Sequence, residues 1–149
     1  MIRKSTIIAF LIAAILMPLA VAAQSSAAQR ARWMEQIRKT KYEFFTKEVN
    51  LTADQQSQLF PLYTEMEKAI YKVNNEAESL LKKTAANTNA TDTEYEAAAN
   101  AAAKSTLRQG EIELEYFNKF SKFLSKKQLF LLKQAEDKFT QNLLKLRRK

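Results

Sequence analysis

Two residue types are missing from this 149-residue chain, cysteine and histidine, and two more are nearly so: one glycine, Gly110, and two prolines, Pro18 and Pro61. Without cysteine there is no disulfide, no thiolate chemistry and no cysteine to carry a lipid anchor. Without histidine the commonest transition-metal ligand is gone, together with the side chain that most often serves as a base near neutral pH. With one glycine there is no glycine-rich loop to hold a phosphate. Strands need turns, and the turn formers are nearly absent. Alanine, glutamate, lysine, glutamine and leucine fill the chain instead, and these favour helix. The expected fold class is all-α. Ser57, Ser79, Ser105, Ser121 and Ser125 have no catalytic partner in view, and Glu111, Glu113 and Glu115, spaced by two, scatter around a helix instead of converging on a metal. No catalytic, metal or cofactor-binding residue is assigned, and an enzyme is not expected.

What is present begins with an export signal. Met1–Ala23 opens with Arg3 and Lys4, continues through the apolar run Ile7–Met17, breaks at Pro18 and ends in the small residues Ala20-Val21-Ala22-Ala23. That is the layout of a secretory signal peptide cleaved after Ala22 or Ala23. The run is shorter than the roughly 20 residues a membrane-spanning helix needs. Residues 24–149 then form a single domain with 22 basic and 16 acidic residues, a net charge of +6. The expected location is the periplasm, with no stable membrane anchor after cleavage. A basic exported protein meets anionic polymers, lipid head groups or acidic polypeptides, and not chromosomal DNA, so no nucleic-acid partner is expected.

Two short stretches repeat one physical pattern. Leu51-Thr52-Ala53-Asp54-Gln55 and Leu124-Ser125-Lys126-Lys127-Gln128 each set an apolar residue and a hydroxyl three positions before a glutamine. In a capping box the hydroxyl accepts from the backbone N–H three residues on, and that residue's side chain reaches back to the cap. Both stretches therefore mark helix starts, each cap contributing about 1 kcal/mol. They divide the chain into four main helices. The first is expected over Ala27–Glu48, where Trp33, Met34, Ile37, Phe44 and Phe45 are interleaved with cations and Asn50 closes the helix. The second runs from Ala53 to Lys83, with Leu59, Leu62, Met66, Ala69, Val73 and Leu80 near a heptad seam. Pro61 should bend this helix. Residues 84–92 (TAANTNATD) form the one clear loop, expected to be a mobile tip. The third helix follows, with a capping box at Thr93 and Glu96 and a stripe of Ala103, Leu107, Gly110, Leu114, Phe117, Ser121 and Leu124, ending near Phe123. The fourth covers Lys126–Arg147, with Leu124 and Leu129 as a hydrophobic staple. Second and third helices form a long central antiparallel hairpin. Apolar residues on more than one helix face leave two arrangements open, a closed four-helix bundle and an elongated one with a face free for a partner.

The run Phe44-Phe45-Thr46-Lys47-Glu48-Val49-Asn50-Leu51-Thr52-Ala53-Asp54-Gln55, followed by Leu59-Phe60-Pro61-Leu62-Tyr63, resembles the first LTxxQ region of the Spy/CpxP family, most closely its Bacteroidetes-type branch. Leu124–Gln128 sits where the family's second copy sits, with serine in place of threonine. The resemblance spans about Arg30 to Leu146. It implies an all-helical periplasmic protein that pairs as an antiparallel, cradle-like homodimer with a basic and apolar concave face. It further implies an ATP-independent chaperone for unfolding envelope proteins or, as the alternative, a regulatory partner of an envelope-stress sensor. The metal-binding histidines of a related branch are absent, so no metal role carries over. On this reading Leu51, Thr52, Gln55, Leu124, Ser125 and Gln128 are architectural, and the candidate client-binding residues are Arg32, Trp33, Arg38, Lys41, Phe44, Lys119, Phe120 and Lys122.

Overall fold

The computed structural model describes the backbone of residues 19–147 and the side-chain burial of residues 26–145. Four helices follow one another: α1 (Leu19–Val49), α2 (Ala53–Ala86), α3 (Asp92–Phe120) and α4 (Lys126–Arg147). No strand occurs among the described residues, and the chain is all-α as its composition requires. Helices α2 and α3 pack against each other as the long antiparallel hairpin. Of the signal segment, residues 1–18 lie outside the described residues, and 19–23 belong to the first turns of α1. Arg148 and Lys149, the end of the basic C-terminus, lie outside them as well.

The chain divides into two compact units, Met1–Glu43 and Phe44–Lys149. In the first unit the described residues form helix, and most of their side chains are exposed. The second unit holds the core.

That core is built where the two motifs stop one helix and start the next. Asn50 adopts a left-handed conformation (φ 55°) just after α1. Asparagine tolerates that region better than a branched side chain does. The Leu51 N–H donates to the Thr46 carbonyl at 3.1 Å and the Asn50 N–H to the Lys47 carbonyl at 3.3 Å. These are the two bonds of a Schellman stop, and the buried pair Leu51 and Phe45 supplies its apolar contact. Around this turn Phe45, Val49, Leu59 and Tyr63 meet Phe120, Leu124, Leu132, Ala135 and Phe139 from the other motif's side, all buried. Ring contacts run through the cluster. Phe45 meets Tyr63 edge-on at 5.3 Å, Tyr63 stacks on Phe120 at 6.3 Å, and Phe139 lies 5.9 Å from Phe44 and 6.4 Å from Phe45. The Lys138 ammonium also reaches the Glu48 carboxylate at 2.7 Å, joining α4 to the end of α1.

Three expectations need correction. Of the expected α2 stripe Leu59 and Met66 are buried, Leu62, Ala69 and Val73 are half-buried and Leu80 is exposed, while Tyr63, Ala77 and Thr84 complete the buried face. Tyr63 takes the inward position because its ring completes the aromatic cluster. On α3 the buried residues are Ala98, Ile112 and Phe120, so the apolar stripe through Leu107 and Leu114 turns away from the hairpin seam. Polar residues also bridge the two helices: Asn74 donates to the Gln109 side-chain carbonyl at 3.1 Å, and Gln109 donates on to Glu113. Third, the cap of α3 is Thr91 with Glu94, two residues earlier than expected. Helix α2 runs on to Ala86, and the tip shortens to residues 87–91, held by bonds from the Asn87 N–H to the Thr84 carbonyl and from the Asn89 N–H to the Asn87 side chain.

Candidate functional site: interlocked helix starts and open faces

The two motifs meet. Each forms the capping box its spacing implies. Gln55 N–H donates to Thr52 Oγ1 and Thr52 N–H to Gln55 Oε1, both at 3.2 Å, while Gln128 N–H donates to Ser125 Oγ at 3.1 Å and Ser125 N–H to Gln128 Oε1 at 3.0 Å. The two glutamine amides then bond to each other. Gln55 Nε2 donates to Gln128 Oε1 at 3.1 Å and Gln128 Nε2 donates back to Gln55 Oε1 at 2.8 Å. Gln55 Nε2 spends its second hydrogen on the Phe123 carbonyl, 3.1 Å away in the turn that ends α3. Each amide oxygen thus accepts twice, from its own cap and from its partner. Leu59 and Leu132, each four residues beyond its glutamine, are both fully buried under this pair. The starts of α2 and α4 are thereby fastened head to head over one core.

A second polar cluster ties α3 to α4. Lys133 Nζ lies 3.1 Å from both Glu113 and Glu136. The Glu136 side chain is 14% exposed. Burial pushes the Glu136 carboxyl above its ordinary range, although Lys133 and a hydrogen bond from Tyr63 oppose the shift. Glu113 is also disfavoured by burial, but its hydrogen bonds from Gln109 and Lys133 outweigh that and hold it below its ordinary range. Lys133, partly desolvated, is raised by the two carboxylates it bridges. The arrangement fits a structural pin, with two carboxylates satisfied by one ammonium. Among the described residues no group of three or more acidic residues is placed to hold a metal ion.

The candidate client-binding residues fall into both units. In the first, Arg32 and Trp33 are exposed, Arg38 is half-buried and paired with Glu35, and Lys41 lies over the Tyr42 ring at 5.9 Å. In the second, Lys122 is exposed. Lys119 is engaged by Glu115 at 2.9 Å and sits 4.0 Å over the Tyr116 ring. Phe120 is fully buried at the centre of the aromatic cluster and presents no surface, so it is a core residue. Phe44 is half-buried against Phe139 and belongs to the edge of the same cluster.

The open apolar surface lies largely elsewhere. Phe130 on α4 is 62% exposed, with Lys126, Lys127 and Lys133 at its three- and four-residue helical neighbours. Leu107 and Leu114 on α3 are 66% and 69% exposed, flanking Gly110. A Cβ at Gly110 would meet nothing within 4 Å. A helix-interior glycine is less stable than alanine by roughly 0.5–1 kcal/mol, and no close approach within the chain explains it. Leu107, Gly110, Leu114 and Phe117, with Lys133, line a shallow apolar groove. Phe130 could have been singled out from its sequence, since three lysines surround it at helical spacing. Which stripe of α3 stays open could not, because both stripes have seven-residue periodicity.

Fold and site together define an all-α hairpin protein with two interlocked capping boxes and apolar side chains left open beside cations. Compared with protein-family models, with curated proteins and with solved structures, the chain matches none. No helix among the described residues is long and apolar enough to cross a membrane.

Proposed function

We propose that this chain is a periplasmic, ATP-independent chaperone of the Spy/CpxP type that holds unfolding envelope proteins on basic, apolar surface. One observation carries the reading: large apolar side chains stand open among cations, Phe130 within a ring of three lysines and Trp33 beside Arg30 and Arg32. Charge raises the encounter rate with unfolded, net-acidic chains, and scattered apolar groups then hold them without imposing one structure. The signal-like start of the sequence and the two LTxxQ-like motifs support the location and the family type. Exposed Lys122 stays among the client contacts, whereas buried Phe120 is removed from them.

The same reading includes a homodimer. The stripe Ala103, Leu107, Gly110, Leu114 and Phe117, exposed except for half-buried Phe117, has the 4-3 spacing of a helix-pairing seam. Antiparallel self-pairing centred on Gly110 sets Ala103 against Phe117 and Leu107 against Leu114 and brings the two glycines together.

The test is light scattering of a reduced or heated client at a several-fold molar excess of the protein without nucleotide. Suppressed aggregation is expected, and Phe130→Ser should weaken it at unchanged helicity. Unchanged scattering sinks the chaperone reading, and a tight one-to-one complex with a single sensor domain in its place would make the chain a regulator. For the dimer, Leu114→Lys should halve the solution mass, and a monomeric parent protein removes that part of the proposal.

A further inference from the structure

The first unit carries part of the basic, apolar surface on which the chaperone reading rests, and its geometry suits a second kind of occupant. Its described helix, residues 26–43, places Trp33 (56% exposed), Met34 (55% exposed) and half-buried Ile37 within about a third of the helix circumference, at one-, three- and four-residue spacing. Arg30 stands one turn before this apolar spot on the same face, and Lys41 one turn after it. Around it the segment holds five cations, Arg30, Arg32, Arg38, Lys39 and Lys41, against two acids, Glu35 and Glu43. Glu35 is taken up by Arg38.

We infer that this face of α1 docks on an anionic phospholipid surface. Two features select a bilayer over a polypeptide, and a third adds to its attraction. Tryptophan favours the head-group boundary, where its ring is buried and its N–H stays solvated. Cations at both ends of a small apolar spot can extend along their alkyl stems to phosphates while the spot itself enters the acyl boundary. Charge complementarity, which an acidic polypeptide would share, adds to the attraction of an anionic leaflet with each lysine or arginine near it, and salt screens it. The attachment is peripheral, with the helix lying along the interface.

Trp33 is the only tryptophan in the chain, so its fluorescence reads this face alone. The form beginning at Gln24 is titrated with phosphatidylcholine vesicles and with vesicles that also contain phosphatidylglycerol, following both emission and co-sedimentation. The expected result is a blue shift and sedimentation with the anionic vesicles, about tenfold or more weaker with the neutral ones, and reversal on raising the salt from 0.05 to about 0.5 M. The double variant Arg30→Glu/Lys41→Glu should lose anionic-vesicle binding about tenfold or more at unchanged helicity. No sedimentation or shift with anionic vesicles overturns the inference, as does equal binding to both vesicle types or binding that the double variant leaves intact. Client protection is measured without lipid, so failure of the vesicle arms is distinct from failure of the chaperone reading.

Discussion

If the Gln55–Gln128 pair fastens the starts of α2 and α4 together, the two capping boxes are not independent, and a double-mutant cycle should show it. Gln128→Ala removes the bond to the Ser125 N–H and both amide–amide bonds. At about 0.5–1.5 kcal/mol net for each bond, the single change should lower stability by about 2–3 kcal/mol. Gln55→Ala additionally frees the Phe123 carbonyl and should cost at least as much. The two bonds between the side chains are removed by either change, so the double variant should lose about 1–2 kcal/mol less than the sum of the singles. Any gain in helix propensity from alanine cancels in the cycle. Urea unfolding followed by circular dichroism at 222 nm is the appropriate assay, because the sole tryptophan lies in the other unit. A midpoint shift of about 1 M is expected for each single variant if m is near 2 kcal/mol/M. The box at Thr91 and Glu94 is an internal control. It is exposed at the hairpin tip and bonds only within itself, so Thr91→Ala should cost only about 1 kcal/mol and should not couple to Gln55. Additivity of the Gln55 and Gln128 changes within about 0.3 kcal/mol would refute the interlock.

Three other outcomes follow from the same geometry. Asn50→Val should cost about 1–2 kcal/mol, because a branched side chain resists the left-handed conformation after α1, whereas Asn50→Gly should stay within a few tenths; thermal unfolding of the two variants checks this. Leu132→Ala should lose about 2–5 kcal/mol by opening a cavity beneath the glutamine pair, while Leu107→Ala on the open stripe should change the stability of the unpaired chain by less than about 0.5 kcal/mol. Glu136→Gln tests the buried carboxylate through pH. A carboxyl whose folded pKa is raised binds its proton more readily folded than unfolded, so its ionised form is a burden that is fully present above the raised pKa and is relieved as pH falls towards the ordinary glutamate value. Near pH 7 the substitution should therefore leave stability unchanged or raise it by about 1 kcal/mol, with the difference shrinking as the pH falls; a loss of several kcal/mol at pH 7 would show that the ion pair with Lys133 dominates.

Much was determined by the sequence alone. Scarce glycine and proline with abundant helix formers dictate an all-α chain, and the hydroxyl-to-glutamine spacing marks the starts of α2 and α4, because both are local effects settled within one helical turn. The hairpin is legible because two long helices joined by a short polar tip fold back on each other. Tertiary structure decided what local pattern leaves degenerate. Helix α2 could present Leu62 or Tyr63 inward, and the aromatic cluster selects Tyr63. Helix α3 carries two seven-residue stripes, and the one through Ala98 and Ile112 packs while Leu107, Gly110 and Leu114 stay open. Phe120 reads as surface from its lysine neighbours and is buried because Tyr63, Phe117 and Phe123 close around it. The opening motifs show the limit most plainly. Each spells its own cap, but the side chains of Gln55 and Gln128 become partners only when the hairpin returns the chain to its starting end, a juxtaposition that no local spacing encodes.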